Sequence, residues 1–220
     1  MTDVTHDISA VRRQVGTRTF KAGEARVVTV TRSYDAPLED VWDACTNPER
    51  IPRWLLPVTG ELRLGGRYQL EGNAGGVIER CDPPNSFAAT WEYGGEVSWI
   101  ELSLTSEESG TSFQLEHIAH VDDTKWAEFG PGAVGVGWDL MVRGLSLHLA
   151  SGAALDPKKF MAWMASDEGR LFMTSSSEAW YAANVAGGEE EKTAREAADR
   201  TTAAYTGAGD GGDRNEGDAS

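Results

Sequence analysis

Residues 135–150 read GVGWDLMVRGLSLHLA, and this stretch decides how the rest of the chain must fold. Trp138, Met141, Val142, Leu145 and Leu149 recur at the three- and four-residue spacing of a single helix face. A broad apolar stripe of this kind is stable only when another apolar surface covers it. The sequence therefore predicts a long amphipathic helix that packs against a partner.

The partner lies upstream, where short runs rich in β-branched and aromatic residues are separated by Gly, Pro and Asn clusters. Paired glycines at 65–66 and 94–95 are typical of hairpin turns. We expect seven antiparallel strands, over residues 26–34, 58–64, 67–71, 77–81, 87–93, 97–104 and 111–121.

The helical segments are marked by capping residues and prolines. Two short helices, residues 37–46 and 48–54, follow the first strand, and residues 122–134 are expected to form a loop before the long helix. Further helices are predicted over residues 157–165, from 166 to about 185, and over 189–205. This gives an N-terminal arm (1–25), a main domain (26–150), a helical extension (151–206) and a disordered acidic tail (207–220).

Composition excludes several classes of partner. Lys and Arg number 20 against 35 Asp and Glu, a net charge of −15, so nucleic acid and anionic membranes would be repelled. No run of eighteen apolar residues is present, and Cys45 and Cys81 do not make a disulfide framework. We expect a cytoplasmic protein with no membrane and no nucleic-acid partner.

Several short motifs follow one another along the chain in an order that is informative. Those that carry a resemblance are Ser33-Tyr34-Asp35-Ala36-Pro37, Val41-Trp42, Asn47-Pro48-Glu49, Trp54, Gly65-Gly66-Arg67-Tyr68, Asp82-Pro83-Pro84, Thr90-Trp91-Glu92, and Gly110-Thr111 leading to Leu115-Glu116-His117. In this order they resemble the START/polyketide-cyclase (SRPBCC) superfamily, in the branch related to activators of the heat-shock-protein-90 ATPase.

The resemblance covers roughly residues 26–150. It implies an α+β helix-grip fold, with a seven-stranded antiparallel sheet curved around the last helix and a largely apolar pocket between the two. Members of this superfamily bind lipids or hormones, cyclise polyketides or act as co-chaperone modules, so the resemblance implies no single activity.

Strand alternation predicts which side chains face the proposed pocket. Phe87, Ala89 and Leu104 fall on inward-facing positions, whereas Trp99 faces outward. The same face is equally well explained as a filled hydrophobic core. The residues predicted to contact a ligand are Trp54, Tyr68, Leu70, Trp91, Ile100, Leu102, Phe113, Leu115, His117, Trp138, Met141 and Leu145.

Two polar side chains raise alternatives on this face. His117 falls on the apolar face, where it would orient a ligand carbonyl or hydroxyl, or instead be a core histidine with a structural partner. His117 and His120 are three apart on a strand, which puts their rings on opposite faces and argues against a metal site. Arg80 shares the parity of Ile78 and would point inward to meet an anion, unless the preceding glycines shift the local register.

The segment Gly130-Pro131-Gly132-Ala133-Val134-Gly135 fits the dinucleotide pattern G-x-G-x-x-G and precedes a helix. A dinucleotide site also needs a parallel strand after that helix, and none is predicted here. The segment is therefore interpreted as a flexible entry loop and hinge candidate, and no cofactor is expected.

The preferred function is binding of a small, largely apolar ligand between the sheet and the long helix. One alternative is a cyclase- or dehydratase-like enzyme in which His117 positions or protonates the substrate. The other is a chaperone-linked interaction module, with a protein partner or a second copy of the chain bound through the helical extension. No catalytic residue and no metal ligand is assigned.

Overall fold

The computed structural model describes residues 3–207 and confirms the α+β helix-grip architecture. One antiparallel sheet has the strand order β1-β2-β8-β7-β6-β5-β4-β3. Its strands are β1 (Arg12–Phe20), β2 (Gly23–Tyr34), β3 (Val58–Gly60), β4 (Arg67–Leu70), β5 (Gly75–Asp82), β6 (Ser86–Tyr93), β7 (Glu96–Glu107) and β8 (Gly110–Ala119). The predicted acidic tail falls on residues 208–220, outside the described part of the chain.

The helices lie before, within and after this sheet in sequence. They are α1 (Val4–Ser9), α2 (Leu38–Thr46), α3 (Asp123–Phe129), α4 (Gly132–Ser151), α5 (Pro157–Met164), α6 (Asp167–Ala186) and α7 (Glu191–Thr206), with a 3-10 turn at Ile51–Arg53. The long helix predicted from residue 135 is α4, which begins one turn earlier. Across residues 3–207, no helix is long and apolar enough to cross a membrane.

The sheet has eight strands in the described chain rather than the seven predicted. Residues expected to form an arm or weak helix instead build β1, which pairs with β2 from Arg12 opposite Thr31 to Phe20 opposite Gly23. No residue of β1 is fully buried, so its sequence lacks the apolar alternation that marks the other strands. Pairing with β2 therefore defines this strand more clearly than its own residue pattern does.

The glycines before α4 serve close packing, which corrects the predicted entry loop and hinge. Residues 122–134 contain helix α3, which ends at Gly130 with a positive φ of 57°, and α4 begins only two residues later. Gly132 and Gly135 lie within α4, where a Cβ on Gly135 would overlap the indole of Trp180 in α6. These glycines let α6 and α7 approach the α4 backbone.

Helix α4 is covered on two sides, by the sheet and by the helical extension. On the extension side, the buried carboxylate of Asp139 accepts hydrogen bonds from Arg13 Nε at 2.9 Å and Trp180 Nε1 at 3.1 Å, and from the Ser176 hydroxyl. Burial raises the pKa of Asp139, and the Arg13 guanidinium opposes that rise. These hydrogen bonds connect β1 and α6 to α4.

Candidate functional site

A cavity of about 290 Å³ lies between the concave face of the sheet, α2 and α4. Its size is close to the lower end of the range for small-molecule pockets, which is roughly 300–1,000 Å³. The sheet supplies residues from β3 to β8, α4 supplies Trp138 and Met141, and α2 with the following 3-10 turn supplies the opposite wall. The cavity therefore occupies the position predicted for the pocket.

Ten of the twelve residues predicted to contact a ligand line this cavity. They are Trp54, Tyr68, Leu70, Trp91, Ile100, Leu102, Phe113, Leu115, Trp138 and Met141. Phe87 and Ala89, placed inward by strand alternation, also line it. Leu145 is fully buried in the core and His117 is buried behind the lining, so neither reaches the cavity surface.

Several lining residues come from segments where strand alternation gives no guidance. The apolar side of α2 was visible in the sequence, but nothing local placed it against the sheet. The additional lining residues are Trp42, Cys45, Thr46, Ile51, Leu55, Val58, Leu62, Ile78, Cys81 and Pro83.

A β-bulge in β5 explains why Cys81 rather than Arg80 faces the cavity. Ile78 pairs with Ala89, but Arg80 pairs with Ala88, so one extra residue is inserted between the two pairs. The insertion reverses the alternation beyond it. Arg80 accordingly lies on the outer face, 3.9 Å from Glu101, and the hypothesis of an inward Arg80 is wrong.

The cavity surface carries no charge among the described residues, since no Asp, Glu, His, Lys or Arg lines it. Its hydrogen-bonding groups are largely engaged within the protein. Tyr68 Oη donates to the Thr90 carbonyl at 2.8 Å, Trp54 Nε1 to the Ala44 carbonyl at 2.9 Å, and Thr46 Oγ1 to the Trp42 carbonyl at 2.8 Å. Burial, aided by Glu92, raises the pKa of Tyr68 and keeps it neutral.

His117 has a structural partner. Its Nδ1 accepts a hydrogen bond of 3.1 Å from Trp138 Nε1, and the ring of Trp91 packs edge-on at 6.4 Å. Burial lowers the pKa of His117 to about 4, so the imidazole is neutral at physiological pH. Of the two readings of His117, the geometry supports the core histidine.

His120 lies on the other face of the sheet, as strand alternation predicts. Its ring packs against Trp99 at 5.7 Å, and its Nδ1 lies 3.0 Å from the Glu24 carbonyl oxygen. The two histidines therefore cannot ligate one ion.

A curved antiparallel sheet closed over an apolar cavity by a long helix defines a helix-grip protein. The chain belongs to the family described as "Activator of Hsp90 ATPase homolog 1-like protein", whose model matches residues 35–150. No curated protein sequence matches the chain.

Among solved structures, the chain is similar to CalU16 from Micromonospora echinospora. The crystal structure of CalU16 is 38% identical, with 79% of this chain and 98% of CalU16 covered and a TM-score of 0.63. Its solution structure gives 37% identity, 81% and 97% coverage and a TM-score of 0.68. The likeness extends well beyond the residues that the family model matches.

The fold alone is shared with more distant structures. DynU16, described as a putative protein in the dynemicin biosynthetic locus, is 20% identical, with 58% of this chain and 48% of DynU16 covered and a TM-score of 0.50.

Proposed function

We propose that this protein binds a small, largely apolar molecule in the cavity between the sheet, α2 and α4. The observation that carries the proposal is the volume of about 290 Å³ between the sheet, α2 and α4, which is lined almost entirely by apolar side chains. Apolar side chains that line an open volume forgo the packing contacts that a filled core would give them, which costs stability. A space kept at such a cost is typical of a binding site.

The lining favours an uncharged ligand with an extensive apolar surface. Four tryptophans contribute to it, at positions 42, 54, 91 and 138, and the rings of Trp91 and Trp138 lie 4.9 Å apart. Flat aromatic walls provide large contact areas at little entropic cost. An ionised ligand group would lose its hydration without gaining a charged partner, which disfavours acids and amines.

The cyclase- or dehydratase-like alternative has weaker support. It needs an acid or base at the ligand, whereas the one candidate, His117, is engaged by Trp138 behind the lining. We therefore favour binding without turnover.

The uncharged naphthalene ketone prodan, whose emission shifts to the blue in apolar surroundings, tests the proposal by fluorescence titration. We expect saturable binding with a blue shift. Ala89→Phe fills the cavity from β6 and should weaken binding at least tenfold. Val97→Phe introduces the same ring on the outer face of the neighbouring strand β7, where Val97 is 51% exposed, and should leave binding unchanged. Absence of saturable binding, or equal loss in both variants, would refute the proposal.

A further inference from the structure

Two cysteine thiols face the cavity from different walls. Cys45 projects from α2 and Cys81 from β5. Phe87 is the strand partner of Cys81, and its ring lies 6.3 Å from that of Trp42, which is one helical turn before Cys45. Both thiols therefore belong to the end of the cavity where α2 faces β5 and β6. Neither has a hydrogen-bond partner within the described residues.

The β-bulge makes the position of Cys81 specific. With regular pairing beyond Ile78, the cation of Arg80 would face the cavity and the thiol would face solvent. The inserted residue exchanges the two, and bulges that redirect a side chain in this way recur beside functional sites.

The two thiols differ in their surroundings. Both side chains are partly exposed, but burial raises the pKa of Cys45 to about 12, which keeps it as a neutral thiol and a poor nucleophile. Cys81 is half-buried and is two residues from the exposed Pro83, which also lines the cavity. The Cys81 sulfur therefore lies close to the solvent-exposed rim and faces the apolar interior.

We propose that Cys81 is a covalent capture site for an apolar ligand that carries an α,β-unsaturated ketone. This proposal rests on the proposed binding function. The sulfur adds to the β-carbon, forming one C–S bond and consuming the C=C π bond. The thiol proton passes to water at the rim and water returns a proton to the α-carbon, so neither oxidant nor reductant is needed.

The cavity provides the rate advantage for this reaction. Holding an electrophile beside a thiol converts an encounter between two molecules into a step within one complex, and well-oriented intramolecular reactions reach effective molarities of about 10⁵–10⁸ M. Even a small part of that advantage makes capture much faster than reaction with a thiol in free solution.

Acrylodan is the matched probe, because it differs from prodan in having a vinyl ketone in place of an ethyl ketone. Labelling is followed by intact-protein mass, and the labelled residue is identified by peptide mapping. We expect the labelling rate to saturate with acrylodan concentration and the label to lie on Cys81. Labelling should be at least tenfold faster than the reaction of N-acetylcysteine at the same pH and concentration. Excess prodan should compete. Cys81→Ala should lose the label.

Variants of β6 and β7 test whether the reaction passes through the cavity. Ala89→Phe keeps the thiol but fills the cavity, so it should slow labelling at least tenfold, whereas Val97→Phe on the exposed outer face should not. Covalent capture would be overturned by a label on Cys45 or by a labelling rate that rises linearly with acrylodan concentration. It would also be overturned if prodan failed to compete, or if the protein were labelled no faster than N-acetylcysteine. If wild-type protein binds prodan in those cases, the binding function stands; if prodan does not bind, the binding function itself fails.

Discussion

Trp138 Nε1 donates a hydrogen bond of 3.1 Å to His117 Nδ1, joining the floor of the cavity to a central strand. The bond requires an unprotonated Nδ1, because a doubly protonated imidazole has no acceptor. The orientation of a cavity-lining indole therefore depends on the protonation state of a buried histidine. In the proposed binding function, His117 acts on the ligand through Trp138.

The first prediction concerns the pH dependence of stability. The pKa of His117 is about 4 in the folded protein, against about 6.5 in an unfolded chain. The unfolded state therefore takes up the proton first as pH falls, and the stability contribution, complete above about pH 6.5, is lost towards pH 4. The expected loss between pH 7 and about pH 4.5 is roughly 2–3 kcal/mol from this group alone.

Urea unfolding of the wild type and His117→Gln at both pH values measures that contribution. Glutamine can still accept a hydrogen bond but does not titrate, so the variant should lose about 2–3 kcal/mol less on acidification. Parallel pH profiles for the two proteins would contradict the assignment.

The second prediction separates helix propensity from packing in α4. Gly→Ala in a helix usually stabilises by up to about 1 kcal/mol. At Gly135 the added methyl group would overlap the Trp180 indole, so Gly135→Ala should destabilise by about 2 kcal/mol or more despite its better propensity. At Gly137 the same methyl group would lie 3.5 Å from the Tyr205 hydroxyl, an ordinary contact. Gly137→Ala should be neutral or stabilising in urea unfolding, and equal effects at the two sites would argue against close packing of α4 on α6.

Uninterrupted antiparallel strands explain why much of the cavity was predictable from sequence. Ile100 and Leu102 in β7 pair with His117 and Leu115 in β8 in one continuous register, so alternation alone assigns their faces. The same rule places Trp99 on the outer face, where it packs against Phe20.

Sequence patterns did not predict side-chain orientation where a tertiary feature determined it. One inserted residue in β5 exchanged Arg80 with Cys81, and the preceding glycines indicated that the register could shift without fixing where. In α4, the buried Asp139 is paired with Arg13, which lies 126 positions away in the sequence and which no local pattern could connect to it. Leu145 faces the sheet but is fully buried, because the stripe continues beyond the end of the cavity.

A third prediction tests the buried ion pair between Arg13 and Asp139, whose side chains are 5% and 1% exposed. Asp139→Asn leaves the guanidinium buried without a counter-charge and should destabilise by about 3–5 kcal/mol. Double-mutant cycles with Arg13→Met should give a coupling energy of at least about 1 kcal/mol. Glu61→Gln removes the partner of Arg63 in an exposed pair and should change stability by no more than about 0.5 kcal/mol. Additive effects at positions 13 and 139 would show that the contact contributes little.

The last prediction concerns the helical extension, which we propose as the surface for a protein partner or a second copy of the chain. Deleting residues 156–220 is an unsuitable test, because α6 buries Phe172, Met173 and Trp180 in the described fold. Removing three such side chains forfeits about 5–9 kcal/mol, comparable to the stability of a whole domain. The truncated chain should therefore lack a cooperative urea transition, and a lost partner would reflect unfolding.

Substitutions at the exposed apolar positions of the extension separate the two effects. Met161 and Leu171 are 66% and 56% exposed, so Met161→Ser with Leu171→Ser should change the free energy of unfolding by no more than about 0.5 kcal/mol. Light scattering across a concentration series reports self-association of the wild type and of this variant. If the wild type associates and the stable variant does not, the surface binds a second copy. The truncated chain, by contrast, exposes the face of α4 that Trp180 covers. If it nevertheless unfolds cooperatively at the wild-type urea midpoint, the extension is not needed for the fold.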